Sequence, residues 1–189
     1  MENINKALEF APFPKIPRLN REVVITEKID GTNSCIYITE DGEFFTGSRT
    51  RWITPSDDNA GFSKWAHEHK EELMGLGKGH HFGEWYGQKI QRGYGLTEKR
   101  FALFNTSIWS DDSVRPSCCC VVPILYQGLF TTEATKDALN CLKIFGSVAV
   151  PGFMRPEGIV IYHIAGNLYF KATIERDEEY KSKVEGETK

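Results

Sequence analysis

The chain is predicted to adopt an α+β fold of mainly antiparallel sheets flanked by helices. Three observations carry that expectation: β-branched and aromatic runs recur along the chain, only two long segments have helical periodicity, and the two patterns do not alternate regularly. A parallel α/β fold would need strand and helix in turn. With 189 residues, 40% of them hydrophobic, the chain can bury a sizeable core but is short for two full-sized domains, so a single domain over 1–189 is expected.

Glu22–Lys28 is dense in β-branched residues and predicts a first strand; residues 34–39 predict a second. Asp41-Gly42 then supplies a hairpin turn before Phe44, Phe45 and Thr46. Lys28 and Asp30 therefore fall on or beside a strand-to-strand turn. Across residues 57–77, Phe62, Trp65, Ala66, His69 and Leu73 recur at helical spacing, with Asp57 or Asp58 as cap and Gly75 as stop. That segment predicts an amphipathic helix. Strand character returns at 81–85, 101–108, 119–126, 147–150 and 158–164 and at Leu168–Thr173, the last two joined by a Gly166-Asn167 turn. A second helix is predicted over Thr132–Phe145, stopped by Gly146, and the charged stretch 175–189 begins as a helix and frays.

A net charge of -3 and a pI near 6.0 exclude a protein that coats nucleic acid non-specifically, because such binding needs many Lys and Arg contacts. Any nucleic-acid contact must be local. The N-terminal Met-Glu-Asn-Ile-Asn has no apolar signal core, and no apolar run approaches the roughly 18 residues that cross a bilayer. A cytoplasmic chain with no membrane partner is expected. Five cysteines, three of them consecutive at Cys118, Cys119 and Cys120, make neither a disulfide framework nor a zinc knuckle and are expected to be reduced. His67, His69, His80 and His81 form no metal-binding motif, and no Gly-rich phosphate loop occurs.

The strongest sign of chemistry is Lys28-Ile29-Asp30-Gly31, directly after Glu27. Gly47-Ser48-Arg49 follows, then Phe82-Gly83-Glu84, Phe101-Ala102-Leu103-Phe104, Glu157-Gly158-Ile159-Val160-Ile161 and finally Lys171. This ordered series, led in by Phe13-Pro14-Lys15-Ile16-Pro17-Arg18-Leu19, resembles the ATP-dependent RNA ligases, in particular their RNA ligase 2-type branch. The resemblance implies an ATP-grasp-like nucleotidyltransferase (ligase adenylation) domain.

It also implies a reaction. The lysine at the position of Lys28 attacks the α-phosphate of ATP, expels pyrophosphate and becomes a lysine-AMP phosphoramidate. AMP then passes to the 5′-phosphate of an RNA end, and a 3′-hydroxyl displaces it to form a phosphodiester. By the same resemblance Lys28, Asp30 and Lys171 are catalytic, while Glu27, Lys28, Arg49, Glu84, Phe104 and Lys171 bind the nucleotide. Glu84 and Glu157 would hold Mg²⁺ or Mn²⁺, Arg49 would meet the ribose and the RNA end, and Phe104 would stack on adenine, with Phe101 in the core. An ordinary lysine has a pKa near 10.4, so about one in two thousand is the free amine at neutral pH. Attack on phosphorus therefore needs positive charge nearby, which Lys171 and a metal ion would supply.

Some positions depart from the family pattern. Tyr162 stands where the fourth motif usually ends in a basic residue, Tyr169 replaces the first of two lysines in the fifth, and Asn105 replaces a common acid. Eighteen residues follow Lys171, so no C-terminal OB or helical domain is expected. Lys89, Arg92, Lys99 and Arg100 are then the nearest positive cluster for RNA. Expected partners are RNA with 5′-phosphate and 3′-hydroxyl ends and an enzyme that heals those ends. Two alternatives stay open: a DNA ligase or capping-type nucleotidyltransferase, and a ligase-like domain that binds nucleotide or RNA ends with little turnover alone.

Overall fold

Alternation along Glu22–Lys28 (β1) turns Val23, Ile25 and Glu27 to one face, where all three are buried, and Val24, Thr26 and Lys28 to the other. The computed structural model, which describes residues 11–175, places β1 inside an antiparallel sheet of four strands. Its neighbours are Ile124–Leu129 (β8) on one side and Gly158–His163 (β9) on the other, with Leu168–Thr173 (β10) at the edge beyond β9. The α4 helix, Thr132–Phe145, covers the buried face through Ala138 and Leu142, packing on Val23, Ile25, Ile159 and Ile161.

The chain leaves this sheet at Lys28 and enters the second at Thr32, so Ile29-Asp30-Gly31 makes the crossing. The second sheet runs β4-β3-β2-β5-β6-β7: Trp52–Ile53 (β4), Phe44–Ser48 (β3), Thr32–Ile38 (β2), Gly79–Gly87 (β5), Lys99–Leu103 (β6) and Cys119–Val121 (β7). Its pairs are antiparallel except β6 with β7. Phe62–Glu68 (α1) and Lys70–Leu73 (α2) close one face, burying Phe62, Ala66 and Leu73 against Ile36, Trp85, Phe101 and Leu103. Each such large side chain contributes about 2–3 kcal/mol by leaving water. A smaller cluster of Ile29, Tyr86, Tyr94, Ala102, Val122 and Val150 packs the crossing and the segment after α4 against β5 and β6 of the second sheet.

The α+β class and the antiparallel sheets agree with the sequence reading, and β1 and α4 have the expected bounds. Several other elements differ, each for a local reason. The expected helix over 57–77 breaks at His69, whose ring Nδ1 donates to the Trp65 carbonyl (2.8 Å) that its own backbone N–H also uses. The N-cap position is Gly61, and the carboxylate of Asp58, upstream of it, accepts from the Ser63 and Lys64 amides of the first turn, while Asp57 pairs with Arg51. Gly77, left-handed at φ 79°, rather than Gly75, ends the segment. The 101–108 strand stops at Leu103, and Thr106–Trp109 (α3) is helical, its Trp109 amide bonded to the Asn105 carbonyl. Residues 119–126 split into β7 and β8 because Pro123 has no N–H to continue a ladder. Its carbonyl instead accepts from the Glu27 amide, which moves the chain from the second sheet back to the first. Residues 147–150 form a turn, and β4 was not anticipated. The predicted terminal helix lies, beyond Glu175, outside the described residues.

Candidate active site

Lys28 is the last residue of β1 and pairs with Gly158. Its Nζ donates to Glu157 Oε2 at 2.5 Å, both side chains being three-quarters or more shielded from solvent. Glu157 sits one residue before β9, anchored by its carbonyl accepting from Ile174 N–H (2.9 Å). Glycine follows at 158 because a β-carbon there would come within 2.2 Å of the Ala172 carbonyl oxygen on β10.

The second sheet meets this pair through Glu84 on β5. Its Oε1 accepts from the backbone N–H of Gly31 (3.0 Å). Close approach of the crossing to β5 is why residue 31 is glycine: a β-carbon would lie 2.3 Å from the Trp85 carbonyl oxygen. Burial pushes the Glu84 carboxyl up to about 7; Lys28 and the Gly31 amide pull it back, while Glu157 and Asp30 raise it further.

Asp30 points to a different partner. Its Oδ2 accepts from Arg92 Nε (3.0 Å), and its backbone N–H donates to the Tyr94 hydroxyl (2.7 Å). Arg92 also donates to the Arg155 carbonyl at 3.0 Å, tying the 88–95 loop to the segment before Glu157. Tyr94 is buried, packs its ring on Phe153 and Tyr86, and has a phenol raised well above its ordinary range by burial. Tyr94 escaped the sequence reading. Its signal is the run Gly93-Tyr94-Gly95, whose consecutive left-handed residues (φ 65°, 51°, 67°) make a tight loop that glycines announce.

Glu27 is buried and its carboxylate is committed to the 147–149 turn. Oε1 accepts from Ser147 Oγ (2.6 Å), and Oε2 from the Val148 and Ala149 amides (2.8 Å each). Phe104 is half-buried at the rim of the small central cluster, on the face of the second sheet that carries Glu84. Arg49 is exposed just beyond β3, and Lys171 is exposed on β10; among the described residues neither side chain has a hydrogen-bond or ion-pair partner. Lys171 pairs in register with Val160 and so shares the Lys28 face, two strands across and two residues along, about 10 Å by about 7 Å.

Lys28, Asp30, Glu84 and Glu157 are therefore together, with Phe104 at their rim; Arg49 and Lys171 stand off, and Glu27 lies beneath. The four cations expected to form one cluster are dispersed: Arg92 holds Asp30, Lys99 donates to the Ala60 carbonyl, Arg100 pairs with Glu98, and Lys89 is exposed. Tyr162 and Tyr169 stack at 4.6 Å and 26° on the Lys28 face, and the Tyr162 hydroxyl donates to Asn167. Two surface recesses, one between Lys15, Arg21 and Gly166 and one along α4 near Glu133, carry none of the site residues.

Among the described residues, no cluster of three or more His, Cys, Asp or Glu side chains is arranged to hold a metal. The carboxylates of Glu84 and Glu157 nevertheless share one lysine. That surplus of negative charge suits a divalent cation whose other ligands are water and phosphate oxygens.

A family model described as RNA ligase matches residues 21–174. Comparison with curated proteins gives no match. Among solved structures, a point mutant of Naegleria gruberi RNA ligase with ATP and Mn superposes with TM-score 0.58 at 20% identity, over 82% of this chain and 50% of that one. A mutant of the same ligase in the apo state gives 0.59 at 20% identity, over 82% and 50%. A further mutant, with AMP and Mn, gives 0.57 at 22% identity over the same shares. These likenesses carry the fold. The chain spans about half the length of the structures it matches.

Proposed function

The chain belongs to the RNA ligase family, and from that premise we propose that it is an ATP-dependent RNA ligase working through a covalent Lys28-AMP intermediate. The observation that carries this reading is the amine of Lys28 at the seam of the two sheets, 2.5 Å from Glu157 and beside Glu84, whose own carboxylate is hydrogen-bonded to the crossing. Lys28 Nζ attacks the α-phosphorus of ATP, the bond to the pyrophosphate oxygen breaks, and the amine proton has Glu157 as the acceptor already in contact. The adenylyl group then moves to the 5′-phosphate of RNA as the P–N bond to Lys28 breaks, restoring the amine, and a 3′-hydroxyl attacks that 5′-phosphorus and displaces AMP.

Phosphoryl transfer asks the protein mainly for position and charge neutralisation. Arg92 fixes Asp30, and Tyr94 fixes the amide of the same residue, so the crossing that follows Lys28 is held from both sides. Glu84 and Glu157 would hold Mg²⁺ or Mn²⁺, which when bound neutralises phosphate charge. Arg49 and Lys171, exposed and without a side-chain partner among the described residues, are available to phosphates of the nucleotide and the RNA end. Phe104 offers its half-buried ring to adenine. A cytoplasmic location fits cysteines that are all free thiols, and an end-healing enzyme would act before this one.

Intact mass after incubation with ATP and a divalent metal tests the chemistry: gain of one AMP that Lys28→Ala abolishes is expected, and no gain, or a GMP adduct with GTP instead, overturns it. Joining is expected between 5′-phosphate and 3′-hydroxyl RNA ends, compared across nicked duplex RNA, single strands and nicked DNA. Sealing of DNA alone would refute the RNA assignment. The stacked Tyr162 and Tyr169, standing where basic residues are usual, favour a second reading in which adenylation proceeds and turnover on RNA is slow without a partner.

A further inference from the structure

A sheet face left to water ordinarily carries polar side chains at alternate positions. The outer face of the second sheet does not. Tyr37, Phe45, Trp52, His80 and Phe82 come from four neighbouring strands, and all but the half-buried Tyr37 are exposed. Their rings touch in series. Phe82 lies 5.8 Å from His80 at 10°, His80 4.1 Å from Tyr37 at 22°, and Tyr37 6.2 Å from Phe45 at 27°. Trp52 adjoins Tyr37, Phe45 and His80.

Register places this strip against the active site. His80, Tyr37 and Phe45 form one cross-strand row, and Phe82, Cys35, Gly47 and Trp52 form the next. Glu84 begins the third row on the same face, so the two aromatic rows lie about 7 Å and about 14 Å from it along β5. Trp52 shows how the rings sit. A β-carbon on Gly47 would be 3.4 Å from its six-membered ring, so the indole rests on bare backbone and is 54% exposed. Arg49, without a side-chain partner among the described residues, lies just beyond β3 beside the same rows.

We infer that this strip is a stacking platform for unpaired bases of the RNA, adjacent to the end being joined, a reading that rests on the RNA ligase assignment. Tyr37 and His80 stack on each other, while Trp52 lies on Gly47, tilted 35° and 53° to Tyr37 and Phe45. Trp52 and the exposed Phe82 are the rings that offer a face to bases of any identity, because every base has a π-face. The strip presents no branched aliphatic side chain, the chief filler of apolar protein interfaces, and it runs without a gap into the row of Glu84. Two rows hold roughly two or three bases, the number that sheet-borne aromatics hold in other RNA-binding sheets. Arg49 supplies a phosphate contact at the end nearest the site.

Trp52 is the one exposed tryptophan of four, which makes it a direct reporter. Titrating the full chain with a 5′-phosphorylated single-stranded oligoribonucleotide should quench its emission, and an abasic oligomer of equal length and charge should not. Phe82→Ala and Trp52→Ala should each weaken RNA binding by about 5- to 100-fold. Phe82→Tyr should keep the affinity and Phe82→Leu lose it, because the second retains apolar area without a ring. AMP-adduct formation should be unchanged in all of them. Equal binding of the abasic strand, or unaltered RNA affinity in a protein that still forms the adduct, overturns the platform. Self-association that Trp52→Ala abolishes would assign the strip to a second copy instead. Absence of adduct in every form, the unaltered chain included, overturns the ligase reading rather than this one.

Discussion

Where β1 ends, the charges come in matched sets: Lys28 with Glu157, Asp30 with Arg92, and Glu27 with one hydroxyl and two amides. Across the seam on β5, Glu84 has one amide donor for a carboxylate that burial has driven up to about 7, and the rings beyond it are open to solvent. The first sheet is pre-assembled around its amine, whereas the second has surfaces and a charge that find partners only when something binds. On the proposed reading of Lys28 as nucleophile, this organisation costs little reorganisation at the moment of reaction. A receptive opposite wall leaves room for substrate. If this contrast is sound, damage at β1 should stop the chemistry, and damage at β5 should shift its dependence on ligand and pH.

The largest effect is expected at Lys28. Lys28→Ala should leave no covalent nucleotide at any metal concentration, while stability falls by about 1–3 kcal/mol, since the largely shielded Glu157 carboxylate loses its partner. Adduct on another lysine would break the comparison at its root. Next is Glu157→Gln, which keeps shape and removes charge. Its adenylation rate should fall about 100-fold, in line with loss of one preorganised electrostatic contact. A fall of only two-fold in a stopped-flow assay would mean that the 2.5 Å contact is a resting-state pair without a part in the step.

Glu27 separates two kinds of importance. Reading it beside Lys28 in the sequence suggests a contact to the nucleoside, whereas its carboxylate is buried under three donors. Glu27→Gln removes the charge that the two amides face and, with its oxygen kept on them, turns the Ser147 hydroxyl from donor to acceptor, which should destabilise the fold by about 2 kcal/mol. Differential scanning calorimetry would register a fall of about 4–8 °C. A raised KM for ATP with an unmoved Tm would return the residue to the nucleotide.

This residue also marks what a linear sequence could reveal. That Lys28, Gly31, Glu84 and Glu157 come together follows from the resemblance of their short motifs, in that order, to those of the RNA ligases. Gly31 follows directly from crowding at Trp85. The partners of Glu27 lie 120 to 122 positions away and depend on a turn that read as a strand. Pro123 held the clue to the sheet exchange, but a proline predicts a break without telling which sheet receives the chain. The aromatic strip was invisible for a related reason. Each ring alone fits an ordinary half-buried strand, and only the register across β3, β2 and β5 collects them.

The smallest effect is a pH dependence from Glu84, and it sharpens the contrast between the sheets most finely. Below pH 4.5 this carboxyl is protonated in both the folded and the unfolded chain; between 4.5 and about 7 the folded chain retains a proton that the unfolded chain releases. Stability therefore falls as pH rises through that window, because the folded state is the one that binds the proton more tightly. Replacing the carboxylate by an amide in Glu84→Gln removes that proton, so the Tm of the variant should decline less than that of the parent over the same window. Mg²⁺ or Mn²⁺ should act in the opposite sense on the parent, recovering stability above about pH 7, where the ionised carboxylate is ready for a cation, and should have less effect on the variant. A parent and variant with parallel Tm curves, with and without metal, would mean that the β5 wall is as settled as the β1 side and that the asymmetry between the sheets has no electrostatic basis.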